Sequence, residues 1–186
     1  MGHDGDVIAE LTSDHREVEG LFERIRAARP GDPEVRNLVD EATVELVRHS
    51  VAEEEYLYPT VREHVENGGP LADKELADHK RVERILKDLE GMQPSDPSFG
   101  RLVEQLMSEV TTHVQDEEGR LFPMLRAACP QEFLMRLGDR VRQAKKLAPT
   151  RPHPSAPHTP PANKLLAPGV GLVDRARDLL TRRHGS

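Results

Sequence analysis

The sequence holds one cysteine, Cys129, so no disulfide can form within the chain and nothing in it asks for an oxidising compartment. Tryptophan is absent, and aromatic residues make up only 3%. Strands draw heavily on aromatic and β-branched residues, so this scarcity leans toward helices. No apolar run approaches the roughly 20 residues that span a bilayer, which argues against an integral membrane segment. The start, Met1-Gly2-His3-Asp4, lacks the basic stretch and apolar run of an export signal, and the expected location is cytoplasmic. The H-E-x-x-H of zinc proteases is missing, and the lack of neighbouring cysteines argues against a thiolate metal site.

What is present is a polar chain of 186 residues, 36% hydrophobic and 32% charged, long enough for one domain with a real core. The net charge of -7 is unevenly spread: residues 149–186 carry +4 and the rest -11. An acidic body is a poor match for nucleic acid, whose binding rests on phosphate neutralisation, and suits a protein that collects cations.

Apolar residues recur at helical spacing through most of residues 6–148. The pattern predicts a helix over 6–28, with Val7, Leu11, Val18, Leu21, Phe22 and Ile25 on one face. A second runs to about Asn67 and is ended by Gly68-Gly69-Pro70, a third spans about 71–90, a fourth 98–128 and a fifth 131–147. Pro59 and Pro123 fall inside helical patterns, and each predicts a kink or local break. The expected fold is all-α: an up-down four-helix bundle with an additional helix and a Pro-rich C-terminal tail. Residues 1–148 form the bundle. Seven prolines make 149–168 a linker, expected to be extended and mobile. Residues 169–186 read as a short basic amphipathic helix or a disordered tail, with a possible protein partner.

The strongest pattern is internal. Asp14-His15-Arg16-Glu17-Val18-Glu19 is repeated 64 residues later as Asp78-His79-Lys80-Arg81-Val82-Glu83. At the same offset, His49-Ser50-Val51-Ala52-Glu53-Glu54 is repeated as His113-Val114-Gln115-Asp116-Glu117-Glu118, and Leu57-Tyr58-Pro59 as Leu121-Phe122-Pro123. Two copies of one helix pair can pack about a pseudo-twofold axis. The repeat keeps H-x3-E on all four helices, as His15/Glu19, His49/Glu53, His79/Glu83 and His113/Glu117. Residues four apart share a helix face. On the second helix Ala42, Leu46, His49, Glu53, Leu57 and Thr60 follow core spacing, and on the fourth Leu102, Leu106, Val110, His113, Glu117 and Leu121 do the same. The polar pairs therefore interrupt apolar stripes, and buried carboxylates are costly unless paired or bound to metal.

Mixed imidazole and carboxylate donors suit iron, manganese or zinc, and two facing glutamates flanked by histidine pairs describe a dinuclear site. These motifs over about residues 5–128, with the Leu-aromatic-Pro after each second H-x3-E, resemble the hemerythrin-like, HHE cation-binding family. The resemblance implies iron, two ions per chain. His15 and His49 would serve one iron and His79 and His113 the other, with Glu53 and Glu117 as bridges. Oxygen-carrying hemerythrins place a histidine four residues after the third one. Glu83 stands there and is expected to coordinate, giving a carboxylate-rich site unsuited to simple oxygen carriage. Glu19 is its less favoured mate. His64 falls about 16 Å along the helix from Glu53, too far for the same metal. Tyr56 and Tyr58 fall near the site, where they either pack or hydrogen-bond to a ligand; Cys129 is expected to be inert, and Glu54, Glu55 and Asp116 to form a solvated acidic edge.

The resemblance implies a protein that reacts with or senses O2, NO or peroxide. It equally fits an iron sensing or buffering protein and a di-iron enzyme that decomposes peroxide or NO.

Overall fold

The computed structural model describes residues 5–29 and 31–154. The segment expected at 169–186, and 149–168 beyond Pro154, lie outside the described residues. Among the described residues every regular element is helical: α1 (Val7–Ala27), α2 (Glu34–Ala52), α3 (Tyr58–His64), α4 (Gly68–Leu89), α5 (Phe99–Asp116), α6 (Phe122–Ala128) and α7 (Gln131–Leu147). A π turn, Glu53–Leu57, joins α2 to α3, and another, Glu117–Leu121, joins α5 to α6. The rods α1, α2–α3, α4 and α5–α6 make the up-down bundle, and α7 packs on α1 and α2.

The π turns are what the two prolines produce. Pro59 has no N–H for the carbonyl four residues back, and Pro123 has none either. The chain widens instead: the Tyr58 N–H donates to the Glu53 carbonyl and the Phe122 N–H to the Glu117 carbonyl, each five residues back. Over eight residues an ideal α-helix overshoots two turns by about 80°. The extra residue absorbed in the π turn brings Leu57 back under His49 and Glu53. All three are buried as a result.

Two boundaries differ from the sequence reading. Gly68-Gly69-Pro70 opens α4 instead of closing the preceding rod. The break is made by Val65, extended, and by Asn67 in the left-handed region at φ 56°. Pro70 is tolerated because the first turn of a helix has no partner for its N–H. Gly68 is required by proximity: a Cβ there would lie 2.0 Å from the Val61 carbonyl oxygen. The second difference is at the start of the expected linker. Pro149, Thr150, Arg151 and Pro152 are buried, and Arg151 pairs with Glu90 at 3.0 Å.

The apolar interior is split in two. One cluster gathers Val18, Leu46, Val82, Val110 and Val114 with their neighbours; the other gathers Leu11, Leu57, Tyr58, Leu76 and Leu121 with the inner face of α7. A buried polar layer lies between them. No helix of the described residues is long and apolar enough to cross a membrane.

Candidate metal centre

The polar layer is built from the repeat. His15 Nε2 and His49 Nε2 lie 3.2 Å apart, and His79 Nε2 and His113 Nε2 lie 3.3 Å apart. Glu53 Oε2 is 3.1 Å from His49 Nε2 and 3.3 Å from His79 Nε2. Glu117 Oε2 is 3.5 Å from both His15 Nε2 and His113 Nε2. Each carboxylate thus reaches one histidine of each pair, the arrangement of a bridge. The donor atoms of His15, His49, Glu53 and Glu117 fall within 4.8 Å of one another, as do those of Glu53, His79 and His113.

The outward ring nitrogens are held as well. His15 Nδ1–H donates to Glu118 Oε1 at 2.8 Å and His79 Nδ1–H to the repeat-related Glu54 Oε1 at 3.0 Å. His49 Nδ1–H donates to Asp14 Oδ2 at 3.2 Å. Its counterpart differs: Asp78 Oδ2 is 3.8 Å from His113 Nδ1, and Glu75 Oε2 is 3.0 Å away but out of line, so His113 Nδ1 makes no hydrogen bond. A carboxylate on one ring nitrogen fixes the tautomer and aims the other at a metal.

Electrostatics support a cation here. Burial works against charge on His49, yet Glu53 and Asp14 outweigh it and hold its pKa at about 10. Burial is likewise outweighed at His79 by Glu53 and Glu54, and at His113 by Glu117, Asp78 and Glu75, with both at about 10. Burial pushes the Glu53 carboxyl up, but His49 and His79 pull it well below the ordinary range. Glu53 and Glu117 are 0% exposed, and Glu53 Oε1 and Glu117 Oε2 accept no hydrogen bond. Buried anionic oxygens without donors are expensive. A layer that concentrates protons on imidazoles beside such oxygens fits metal ions that replace those protons.

Residues 6–125 match the hemerythrin HHE cation-binding domain, and that span contains every side chain of the layer. The chain belongs to the hemerythrin HHE cation-binding family. It is 28% identical over 173 residues to an uncharacterized hemerythrin-like protein of Schizosaccharomyces pombe, covering 92% of this chain and 85% of that protein. It is 34% identical over 137 residues to a protein of Nostoc sp. named DNA nickase, covering 73% of this chain but only 38% of that one. In fold it is similar to the crystal structure of a hemerythrin HHE cation-binding domain-containing protein of Mycobacterium kansasii, with TM-score 0.65, 23% identity, and coverage of 76% of this chain and 88% of that one.

This hemerythrin-family layer is not symmetric. The repeat pairs Tyr58 with Phe122 and Glu75 with Leu11. The Tyr58 hydroxyl lies 3.2 Å from Glu53 Oε2, 3.0 Å from Glu117 Oε1 and 2.9 Å from His79 Nε2. Burial and the charges of Glu117, Glu53 and Glu75 raise its pKa well above that of an ordinary phenol, so it stays a donor. Phe122 instead stacks on His15, with ring centroids 5.8 Å apart and planes 3° from parallel. Glu75, 0% exposed, joins His113 and Glu117 in a third group of close donor atoms.

The structure gathers six of the seven residues read as ligands: His15, His49, Glu53, His79, His113 and Glu117. Glu83 is not gathered, and its Oε1 accepts the His153 N–H at 2.8 Å. The reason is helix direction. In an up-down bundle α1 and α4 run opposite to α2 and α5, so H-x3-E sends the glutamate to the opposite end of the layer. Glu53 and Glu117 point toward the cluster holding Leu57 and Leu121; Val82, beside Glu83, belongs to the other. On α4 the residue on the carboxylate side precedes His79, and it is Glu75. Glu19 is turned away in the same sense and pairs with Arg16 at 2.6 Å. Glu54 and Glu55 are buried instead of forming a solvated edge, whereas Asp116 pairs with Lys74 and Arg120. His64 is exposed and edge-on to Phe133, and buried Cys129 has its thiol pushed up by burial and Glu63.

Proposed function

We propose that this layer holds two iron ions per chain and reacts with or senses a small gas or oxidant: O2, NO or peroxide. The observation that carries the choice of partner is a cavity of about 20 Å³ on the histidine side of the layer, lined by His15, His49, His79 and His113 with Val82 and Val110 among its walls. That is room for about one water-sized molecule. The valines offer it no hydrogen bond, so a guest there must be small and held from the histidine side.

His15 and His49 would hold one ion and His79 and His113 the other, with Glu53 and Glu117 spanning both. Bound iron supplies a Lewis-acidic, redox-active centre. The chain supplies the rest. Glu118, Glu54 and Asp14 fix three imidazoles through Nδ1. Tyr58 keeps a proton beside both bridging carboxylates. Glu75 offers one further carboxylate on the His113 side, while Glu83 stays with His153.

The test is metal content per chain on protein from an iron-supplied host, with an optical spectrum before and after peroxide or NO. Two irons with near-ultraviolet charge-transfer bands that respond to either are expected. No iron, and none taken up anaerobically as Fe(II), would overturn the reading. Peroxide loss per iron far above that of free iron would make the protein an enzyme. Reversible iron loss near neutral pH would make it an iron buffer.

A further inference from the structure

The span that matches the family ends at residue 125, and α7 lies beyond it. Yet α7 reaches the back of the polar layer. Lys145 Nζ donates to Asp14 Oδ1 at 2.5 Å and to Glu10 Oε1 at 2.8 Å, with its side chain 18% exposed. Asp14 passes the contact on, since its other oxygen accepts from His49 Nδ1.

Copy two also places a lysine on its aspartate, from a different source and without the hydrogen bond onward to the histidine. Lys74 Nζ donates to Asp78 Oδ2 at 2.9 Å, and Asp78 faces His113 Nδ1. Lys74 stands four residues before Asp78 on its own helix. The equivalent position in copy one is Glu10, an acid. Copy one therefore cannot hold its aspartate from α1. Glu10 instead recruits cations from α7: Lys145, and Arg142 at 3.3 Å. Arg142 also donates to the Gly5 carbonyl at 3.0 Å and to Asp139 Oδ1 at 2.6 Å.

We propose that Lys145 is a positioning residue for the His15/His49 half of the centre. Helix α7 supplies the cation that holds Asp14 against His49 Nδ1; in the second copy Lys74 grips Asp78, but Asp78 Oδ2 stays 3.8 Å from His113 Nδ1. A buried carboxylate gripped at both oxygens cannot rotate, so the His49 ring cannot either. With Lys145 removed, Asp14 keeps its contact with His49 but loses the one that fixes its other oxygen, and His49 Nε2 loses its fixed aim. Loss of such outer partners weakens metal sites by about 10–100-fold. Helix α7 then controls one half of the centre and leaves the other alone.

The inference rests on the metal-binding reading, and the experiment separates the two. Full-length wild type, Lys145→Gln, Lys145→Arg, Arg142→Gln and Lys74→Gln are loaded anaerobically with Fe(II), and iron release to a chelator is followed together with the optical spectrum. Circular dichroism checks that each variant is folded. In Lys145→Gln, half of the iron should leave about tenfold faster or more, with the other half at the wild-type rate. Lys145→Arg should restore most of the difference. Arg142→Gln, which loosens the same helix without touching Asp14, should match wild type. Lys74→Gln, whose Asp78 makes no hydrogen bond to His113, should change release from either half less than Lys145→Gln does. Release from Lys145→Gln at the wild-type rate, or equal acceleration in Arg142→Gln, would overturn the proposal while leaving the metal reading intact. A wild type that takes up no Fe(II) would overturn both.

Discussion

At the residue scale, the histidines of the layer and those outside it predict opposite outcomes. His49 meets Glu53 and His113 meets Glu117 through Nε2. His64 is exposed on α3. His49→Ala and His113→Ala should each lose most bound metal, and His64→Ala none, when metal per chain is measured by elemental analysis. His49, His79 and His113 also predict a pH dependence. Their folded pKa of about 10 stands above the ordinary 6.5, so the folded chain holds these protons more tightly than the unfolded one. That stabilisation is complete below about pH 6.5 and is lost as pH rises toward 10. Glu53 acts in the opposite sense, its lowered pKa helping above the ordinary 4.5 and failing as pH falls below it. Metal-stripped protein in urea should therefore be most stable near pH 5–7 and weaken steadily to pH 10. Metal affinity should rise over the same interval, because binding displaces the protons. The four histidines, Glu53 and Glu117 of the layer were legible because the repeat carries them at fixed spacing. Asp14, Glu54 and Glu118 stand in the same repeat, but which ring nitrogen each meets depends on how neighbouring helices face one another. Glu75 was hidden, since its counterpart is Leu11 and no repeat marks it.

At the element scale, periodicity located the helices to within a few residues, and the prolines located the two irregular turns without specifying their kind. A kink and a π turn satisfy the same missing donor, and it is the need to keep Leu57 and Leu121 in register with His49 and His113 that matches the second. The boundary at Gly68 was misread because glycine and proline punctuate both helix ends, and only the approach of α3 to α4 decides which. That approach predicts a contrast between adjacent glycines. A methyl at Gly68 meets the Val61 carbonyl at 2.0 Å, and backbone cannot step aside as a side chain can. Gly68→Ala should cost more than about 2 kcal/mol in urea denaturation. At Gly69 the nearest atom is the end of the Arg62 side chain at 4.0 Å. Gly69→Ala should be neutral or stabilise by up to about 1 kcal/mol, because alanine loses less entropy in a helix. Equal destabilisation by both would show that the α3–α4 contact is not as close as described.

At the scale of the whole molecule, the polar layer sits where a bundle of this size would ordinarily place its densest apolar packing. Two apolar clusters are each smaller than one continuous core, and they are joined through buried histidines and carboxylates. The bundle is thus held together at mid-height by electrostatics, and a bound cation would tie four separate rods at one level. Unfolded chain offers no such preassembled donor set, so metal should bind the folded state selectively and stabilise it by mass action. At free metal one hundred times the dissociation constant, that amounts to about 2.7 kcal/mol per site. For a domain of this length each kcal/mol moves the thermal midpoint by about 2–4 °C. Anaerobic Fe(II) should therefore raise the midpoint of the stripped protein by at least about 5 °C in scanning calorimetry, increasing with metal concentration. Glu53→Ala and Glu117→Ala should abolish most of that rise, each by removing an oxygen that touches both histidine pairs. A midpoint indifferent to Fe(II), with the variants equal to wild type, would mean that the His/Glu layer closes on itself and that the bundle needs no ion to join its halves.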